Sequence, residues 1–281
     1  MSLIDVHAHC FPRADCFSPD FVRQAERARG AKVDLITDYR SYWEQAPADT
    51  RVIVFGGKAK RSGLWVDDAD VKQLVGEFPN RMIGFMSLDL SQPGWMDELL
   101  AGHENYGLRG VKLMPMYADF FPNDRKFDEF WRYVSRHQLP VVLHTGTTFI
   151  SQAPLACTLP ILIDDVAIRF PEARIWMAHL GHPYEGETVA VIRKHANVYS
   201  DISALVYRPW QLFHSLMLVQ EYGVWDKLLF GTDFPFTTAN ETLSGLRSLC
   251  EIRIDRFQIP SDRIEELIQR DALALLGLNQ D

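Results

Sequence analysis

The sequence predicts an α/β fold, a single (β/α)8 TIM-like barrel over residues 1–281, on three observations. Short β-rich runs alternate with longer stretches of helical period, the pattern of parallel βαβ units. Eight such runs can be counted along the chain. The length of 281 residues lies close to the roughly 250 typical of an eight-stranded barrel.

The first run, Leu3-Ile4-Asp5-Val6-His7-Ala8-His9, ends in two histidines. On an extended strand the side chains at i and i+2 share a face, so this spacing aims two imidazoles at one point. A lone His-x-His pair is weak evidence for a metal, and its weight depends on ligands at the ends of other strands. Residues 11–50 form a long connection after this strand, with Pro12, Pro19 and Pro47 and a polar, partly helical middle over 21–29. Connections of this length serve as lids or substrate-binding elements about as often as they are idle.

Strand two is expected over 52–55 and strand three over 82–86. Strands four to eight follow over 110–114, 141–144, 174–179, 198–202 and 228–233. Between them, apolar residues recur at three and four over 67–78, 127–137, 160–170, 187–195, 210–222 and 242–253, which predicts amphipathic helices. Asp67, Asp68 and Asp70 put acids in a first turn, where the helix dipole favours them. A doubly wound open sheet would share this alternation, but it calls for a Gly-rich phosphate loop after strand one. This chain has His-Ala-His-Cys there.

The net charge of −8 and the scatter of basic residues argue against a phosphate-backbone partner, so no nucleic acid is expected. No apolar stretch approaches the roughly 18 residues needed to span a bilayer, and the N-terminus runs directly into the histidine motif; neither membrane nor export is expected. The four cysteines, Cys10, Cys16, Cys157 and Cys250, lack C-x-x-C spacing and read as reduced thiols of a cytoplasmic protein, Cys10 as a buried neighbour of the histidines.

In a barrel the catalytic groups sit where the strands end. His7 and His9 end strand one, Lys112 lies on strand four, and His144, His179 and Asp233 end strands five, six and eight. Taken singly, each has a plain structural explanation: a core histidine bonded to a carbonyl, a lysine in a salt bridge, an aspartate capping a turn. Ionisable groups that follow Val-Val-Leu or Leu-Leu-Phe-Gly-Thr are nevertheless costly to bury without partners. Their coincidence across five strands favours a metal site.

The ordered motifs Asp5-Val6-His7-Ala8-His9, Gly110-Val111-Lys112-Leu113, Leu143-His144-Thr145-Gly146, Ala178-His179-Leu180-Gly181-His182-Pro183 and Gly231-Thr232-Asp233-Phe234-Pro235 span nearly the whole chain. Together they resemble the amidohydrolase superfamily, and within it the amidohydrolase 2 group that includes aminocarboxymuconate-semialdehyde decarboxylase-like enzymes. The resemblance implies that His7, His9, His144 and Asp233 hold a divalent metal and that His179 and Asp233 are catalytic. Zinc is expected first, with manganese or iron as alternatives, as one or two ions; imidazoles and a carboxylate suit all three. Lys112 would either bridge two metals as a carboxylated lysine or grip a substrate carboxylate. The resemblance also makes a homodimer a candidate assembly. One position departs from the family: Asp271, in what reads as a final packing helix, stands where asparagine is usual.

Two chemistries fit this ligand set. In a hydrolase, metal-activated water attacks a lactone, amide or ester carbonyl while Asp233 moves the proton and His179 polarises the carbonyl. In a non-oxidative decarboxylase the metal orients a small aromatic or unsaturated acid, and His179 or Asp233 protonates carbon. The run Val111-Lys112-Leu113-Met114-Pro115 resembles the hydrolase branch, so hydrolysis is preferred. Rim candidates for the small-molecule substrate are Arg13, Arg61, Tyr117, Arg125, Tyr207, Arg208 and Trp210, with Lys112, Tyr117 and Arg208 placed first. A catalytically silent scaffold is the third reading, and it would be expected to have lost a ligand.

Overall fold

Eight parallel strands form one sheet in chain order in the computed structural model, which describes residues 3–279. They are β1 (Ile4–His9), β2 (Arg51–Phe55), β3 (Met82–Leu88), β4 (Val111–Leu113), β5 (Val141–Leu143), β6 (Ile175–Met177), β7 (Val198–Asp201) and β8 (Leu228–Leu229). Beyond β8 the chain continues against β1: Val6 N–H donates to Phe230 O (2.9 Å), Asp233 N–H to His7 O (2.7 Å) and His9 N–H to Phe234 O (2.9 Å). These bonds bring the ends of the sheet together into a nearly closed barrel.

Strands five, six and eight stop short of the expected residues 144, 179 and 233. The backbone turns there: His179, Leu180 and Asp233 lie in the left-handed region (φ 61°, 48° and 66°), which cannot continue an extended strand.

Alternation along the strands divides two apolar layers. Ile53, Phe55, Ile83, Phe85, Val142, Trp176 and Leu229 pack in one cluster inside the barrel, and Val52, Val54, Val111, Leu113, Val141, Leu143 and Ile175 pack towards the helices. Ile4 and Val6 belong to the inner cluster, yet the His7 ring also meets the inner Phe55 at 4.9 Å. A register irregularity between Asp5 and Ala8 accounts for the change of phase. Simple alternation would have put Asp5 on the same face as both histidines.

Asp5 instead joins three parts of the chain. It accepts from Tyr42 Oη (2.8 Å), Thr232 Oγ1 (2.7 Å) and the N–H groups of Thr232 (3.0 Å) and His7 (3.1 Å). Burial pushes its carboxyl up to about 6, against the pull of those donors.

The connection after β1 contains two helices where one was expected. Pro19–Arg29 is capped by Ser18, which accepts from Phe21 N–H, and it ends at Gly30 with φ 66°, a conformation that suits glycine. Tyr39–Gln45 begins at Asp38 and buries Tyr39 and Tyr42. The first helix docks across the barrel mouth. Gln24 donates to Gln152 Oε1 (3.0 Å) and accepts from Ser151 N–H (2.7 Å), Arg27 donates to Phe149 O (3.3 Å), and Phe21 meets Phe149 at 5.4 Å.

Helices Asp68–Glu77, Asp128–Arg136, Leu162–Arg169, Glu185–Lys194 and Pro209–Tyr222 follow the expected periodicity. Ala239–Ser248 starts before residue 242 because Thr238 and Glu241 form a reciprocal capping box. Asp271 lies in no packing helix. It caps Ala272–Leu276 by accepting from Ala274 N–H (3.0 Å), a role asparagine fills equally well. All four cysteines are free, and among the described residues no helix is long and apolar enough to cross a membrane.

Tyr42→Phe is expected to cost about 1–2 kcal/mol, since it leaves a buried carboxylate short of one donor; urea unfolding of the two proteins measures the difference.

Candidate metal centre

The end of β1 delivers His7 and His9 to the floor of the mouth, both buried. Each Nε2 faces one carboxylate oxygen, Asp233 Oδ1, at 3.3 Å from His7 and 3.0 Å from His9. Lys112, rising from β4 and 1% exposed, sets its Nζ 3.3 Å from His7 Nε2 and 4.5 Å above the Phe55 ring. His179 stacks at a tilt against His7 with ring centroids 4.8 Å apart, and His144 meets His179 edge-on at 5.0 Å. All six residues expected at the strand ends therefore gather at one place.

Within that group the tightest set is His7, His9 and Asp233, whose ligand atoms all lie within 4.8 Å of one another. His144 stands outside this set. Its Nε2 is 3.1 Å from Thr147 O, which engages that nitrogen and leaves Nδ1 as the one available to a ligand.

The site depends on a carboxylate that sequence reasoning missed. Asp201, at the end of β7 and fully buried, accepts on Oδ2 from His7 Nδ1 (2.8 Å) and Trp176 Nε1 (3.2 Å). On Oδ1 it accepts from the N–H groups of His179 (2.9 Å) and Ser203 (3.1 Å) and from Ser203 Oγ (2.5 Å). A proton on His7 Nδ1 directed at Asp201 turns the Nε2 lone pair towards Asp233, the arrangement by which outer carboxylates orient metal-ligating imidazoles. Ser203 Oγ also lies 2.8 Å from His179 Nδ1. The available signal was an acid behind Val198-Tyr199-Ser200 at a strand end, the pattern that singled out Asp233.

Burial, helped by the Lys112 cation, holds His7 and His179 well below the ordinary imidazole value and brings His144 down to about 3. His9 is lowered by burial against the pull of Asp233. Lys112 falls to about 8 by burial, opposed by Asp233 and Asp201, and Asp233 is raised by burial, opposed by His9. Neutral imidazoles are the ligand-competent form. Two imidazole nitrogens converging on a carboxylate oxygen, oriented from behind, fit a divalent cation.

The mouth around this group is roofed. Phe11 stacks on His9 at 4.6 Å, Tyr39 Oη donates to His9 O (2.7 Å), and Phe21 faces Tyr117 at 6.3 Å. Tyr117, buried on the short helix after β4, meets the His144 ring at 5.0 Å. Arg208 lies 4.7 Å over Tyr207, whose phenol is raised by burial and by the Asp233 charge. Arg13 and Arg61 do not join them; they pair with Asp70 (2.8 Å) and Asp119 (3.1 Å) in exposed ion pairs. Arg125 and Trp210 are exposed. His182, given no role from the sequence, is buried with its ring 6.2 Å from His179, and burial brings it down to about 4. Surface grooves of about 850 and 310 Å³ elsewhere on the barrel are lined by none of the six strand-end residues.

A parallel barrel whose rim gathers buried imidazoles and a carboxylate able to hold a metal defines a barrel enzyme of the amidohydrolase type. Residues 4–276 match the amidohydrolase family model Amidohydro_2, and the chain belongs to this family of enzymes. Its fold is similar to that of an uncharacterised TIM-barrel protein from Bordetella bronchiseptica (19% identity, 99% of each chain covered, TM-score 0.77). It is also similar to a probable 2-pyrone-4,6-dicarboxylic acid hydrolase from Acinetobacter baumannii (16% identity, 99% of this chain and 100% of that one, TM-score 0.66). A third likeness is to a dihydroxybenzoic acid decarboxylase from a Polaromonas species, solved with bound manganese (16% identity, 100% of this chain and 98% of that one, TM-score 0.64). At these identities the likeness establishes the fold. No curated protein matches the chain.

Asp201→Asn is expected to weaken metal affinity about 10- to 100-fold while leaving the fold intact, measured by competition with a chromogenic chelator. A second expectation concerns acid stability. With its value lowered from 6.5 to about 4, neutral His182 contributes stability that is complete above pH 6.5 and is lost as pH falls through 4. His182→Gln should flatten that limb by about 3 kcal/mol in urea titrations at successive pH values.

Proposed function

We propose that this protein is a metal-dependent hydrolase acting on a small lactone, amide or ester. The observation that carries the reading is the convergence of His7 Nε2 and His9 Nε2 on Asp233 Oδ1, oriented by Asp201 and flanked by Lys112. His7, His9 and Asp233 would hold the ion, with His144 as a fourth ligand through Nδ1. Zinc is the first choice, manganese or iron the alternatives, as one ion or two. When bound, such a cation supplies a Lewis acid that polarises a substrate oxygen and acidifies water.

The chain's own groups supply the rest. Asp233, its carboxyl raised by burial, takes a proton on its free oxygen and returns it to the leaving group. His179 would donate from Nδ1–H to Ser203 Oγ, whose own proton goes to Asp201, so its Nε2 lone pair would face the site as a proton acceptor that orients the attacking water. Tyr117 and Arg208 line the path from the rim, where Arg208 matches a carboxylate by a two-pronged hydrogen bond. Lys112, with its value near 8, would grip a substrate oxygen or, carboxylated, would help to hold the metal. The whole chain acts as one barrel domain with residues 11–50 as the cover of its site. It works on a small molecule, in the cytoplasm, as a homodimer.

Non-oxidative decarboxylation of a small aromatic or unsaturated acid is the second reading. It is favoured by Asp233, whose carboxyl is raised by burial and would deliver the proton to carbon, and by Arg208 as the contact for the acid.

Metal analysis by plasma mass spectrometry, beside turnover of lactone, amide, ester and carboxylic acid panels, tests the proposal. His7→Ala, His144→Ala and Asp233→Asn should lose both metal and turnover, whereas His179→Ala should keep its metal and lose at least about 100-fold in rate. Carbon dioxide release instead of hydrolysis would move the assignment to the second reading. Full activity in metal-free protein would overturn both.

A further inference from the structure

Two guanidiniums flank one ring at the barrel mouth. Arg208 lies 4.7 Å from the Tyr207 centroid and Arg29 lies 5.4 Å from it. Arg29 is also 4.8 Å over the Phe236 ring, and Phe236 in turn meets the edge of His9 at 6.3 Å. One aromatic ring therefore separates Arg29 from a candidate ligand, although the two residues belong to different elements of the chain.

Arg29 is the last residue of the helix Pro19–Arg29. The bonds of Gln24 to Ser151 and Gln152 and of Arg27 to Phe149 seat that helix over the mouth, so the docked roof fixes where the guanidinium sits. Arg29 is exposed, and among the described residues no carboxylate pairs with it or with Arg208, whose hydrogen bonds go to Ala204 O and to Tyr207. Arg208 spends N–H donors on Ala204 O and Tyr207, and a guanidinium has five, so both side chains keep donors for a planar anion. Two like charges against one ring repel each other, and an anionic group on each relieves that repulsion.

We propose that Arg29 is a specificity-determining residue which, together with Arg208, selects small dianionic substrates, dicarboxylates above all, over monoanions. The inference rests on the reading of this mouth as the substrate-binding end, with Arg208 as its first anion contact. The competing role for Arg29 is structural: a cation in the last turn of a helix favours the dipole, and lysine serves that purpose equally.

Calorimetric titration of the purified, metal-containing protein with isophthalate and glutarate, each beside its monoanionic counterpart benzoate or butyrate, separates these roles. In the wild type at least one dianion should bind at least about 10-fold more tightly than its counterpart. Arg29→Lys and Arg29→Gln should remove most of that gap while monoanion binding, metal content and circular dichroism stay unchanged. Dianions that bind no better than monoanions in the wild type, or a gap that survives in Arg29→Gln, would overturn the proposal. Should the wild type prove free of metal and yet show an Arg29-dependent gap, dianion selection stands and the metal-dependent reading fails. Should His7→Ala lose its metal while the wild type shows no dianion gap, the metal-dependent reading stands and dianion selection fails.

Discussion

A carboxylate with no exposure to water orders the catalytic end of this barrel. Asp201 takes five hydrogen bonds, from His7, Trp176, His179 and twice from Ser203. Each of those donors belongs to a different requirement of the site: the direction of His7 Nε2, the packing of the barrel floor, the left-handed turn that lifts His179, and the hydroxyl that holds His179 Nδ1. An isolated buried anion would be costly, and it is the full complement of donors that makes Asp201 tolerable there. Asp5 plays the matching part on the other side of β1, fastening the strand to the covering helices through Tyr42 and to the closing segment through Thr232.

Between those two anchors the electrostatics follow from burial. Four imidazoles, a lysine and an aspartate share a space with little water, so the imidazoles are kept neutral, the lysine is weakened as a cation and the aspartate as an anion. Neutral imidazoles beside a carboxylate are a group that could hold a cation. His179 and Asp233 both leave their strands through left-handed φ, a cost of about 1 kcal/mol or more each, and in both the residue's own N–H donates into the site's frame, His179 to Asp201 Oδ1 at 2.9 Å and Asp233 to His7 O at 2.7 Å.

Much of this was legible in the sequence because parallel strands are local and their ends are marked. The eight runs, the order of the strands and the meeting of His7, His9, Lys112, His144, His179 and Asp233 followed from periodicity and from polar residues at the close of apolar runs. Three things were not legible. Asp201 carried the same mark as Asp233, but its role as anchor depends on donors from β1, from Trp176 and from the turn at His179 meeting at one carboxylate, which no local pattern announces. The change of phase within β1 is a register irregularity, and no residue type announces it. Arg29 lies in a polar helix whose place over the mouth is decided by Gln24 and Arg27 meeting a loop more than a hundred residues away, a tertiary fact with no local signature.

The cover formed by residues 11–50 is joined to β1 and its two histidines by almost no intervening chain. Phe11, two residues after His9, stacks on its ring, and Tyr39 from the second covering helix holds its carbonyl. Any rearrangement of the cover therefore bears on the ring and backbone of His9, and through His9 Nε2 on Asp233 Oδ1. Arg29 is the contrast: it reaches the mouth from the same cover, with the Phe236 ring between it and His9, so its side chain can change without moving that strand.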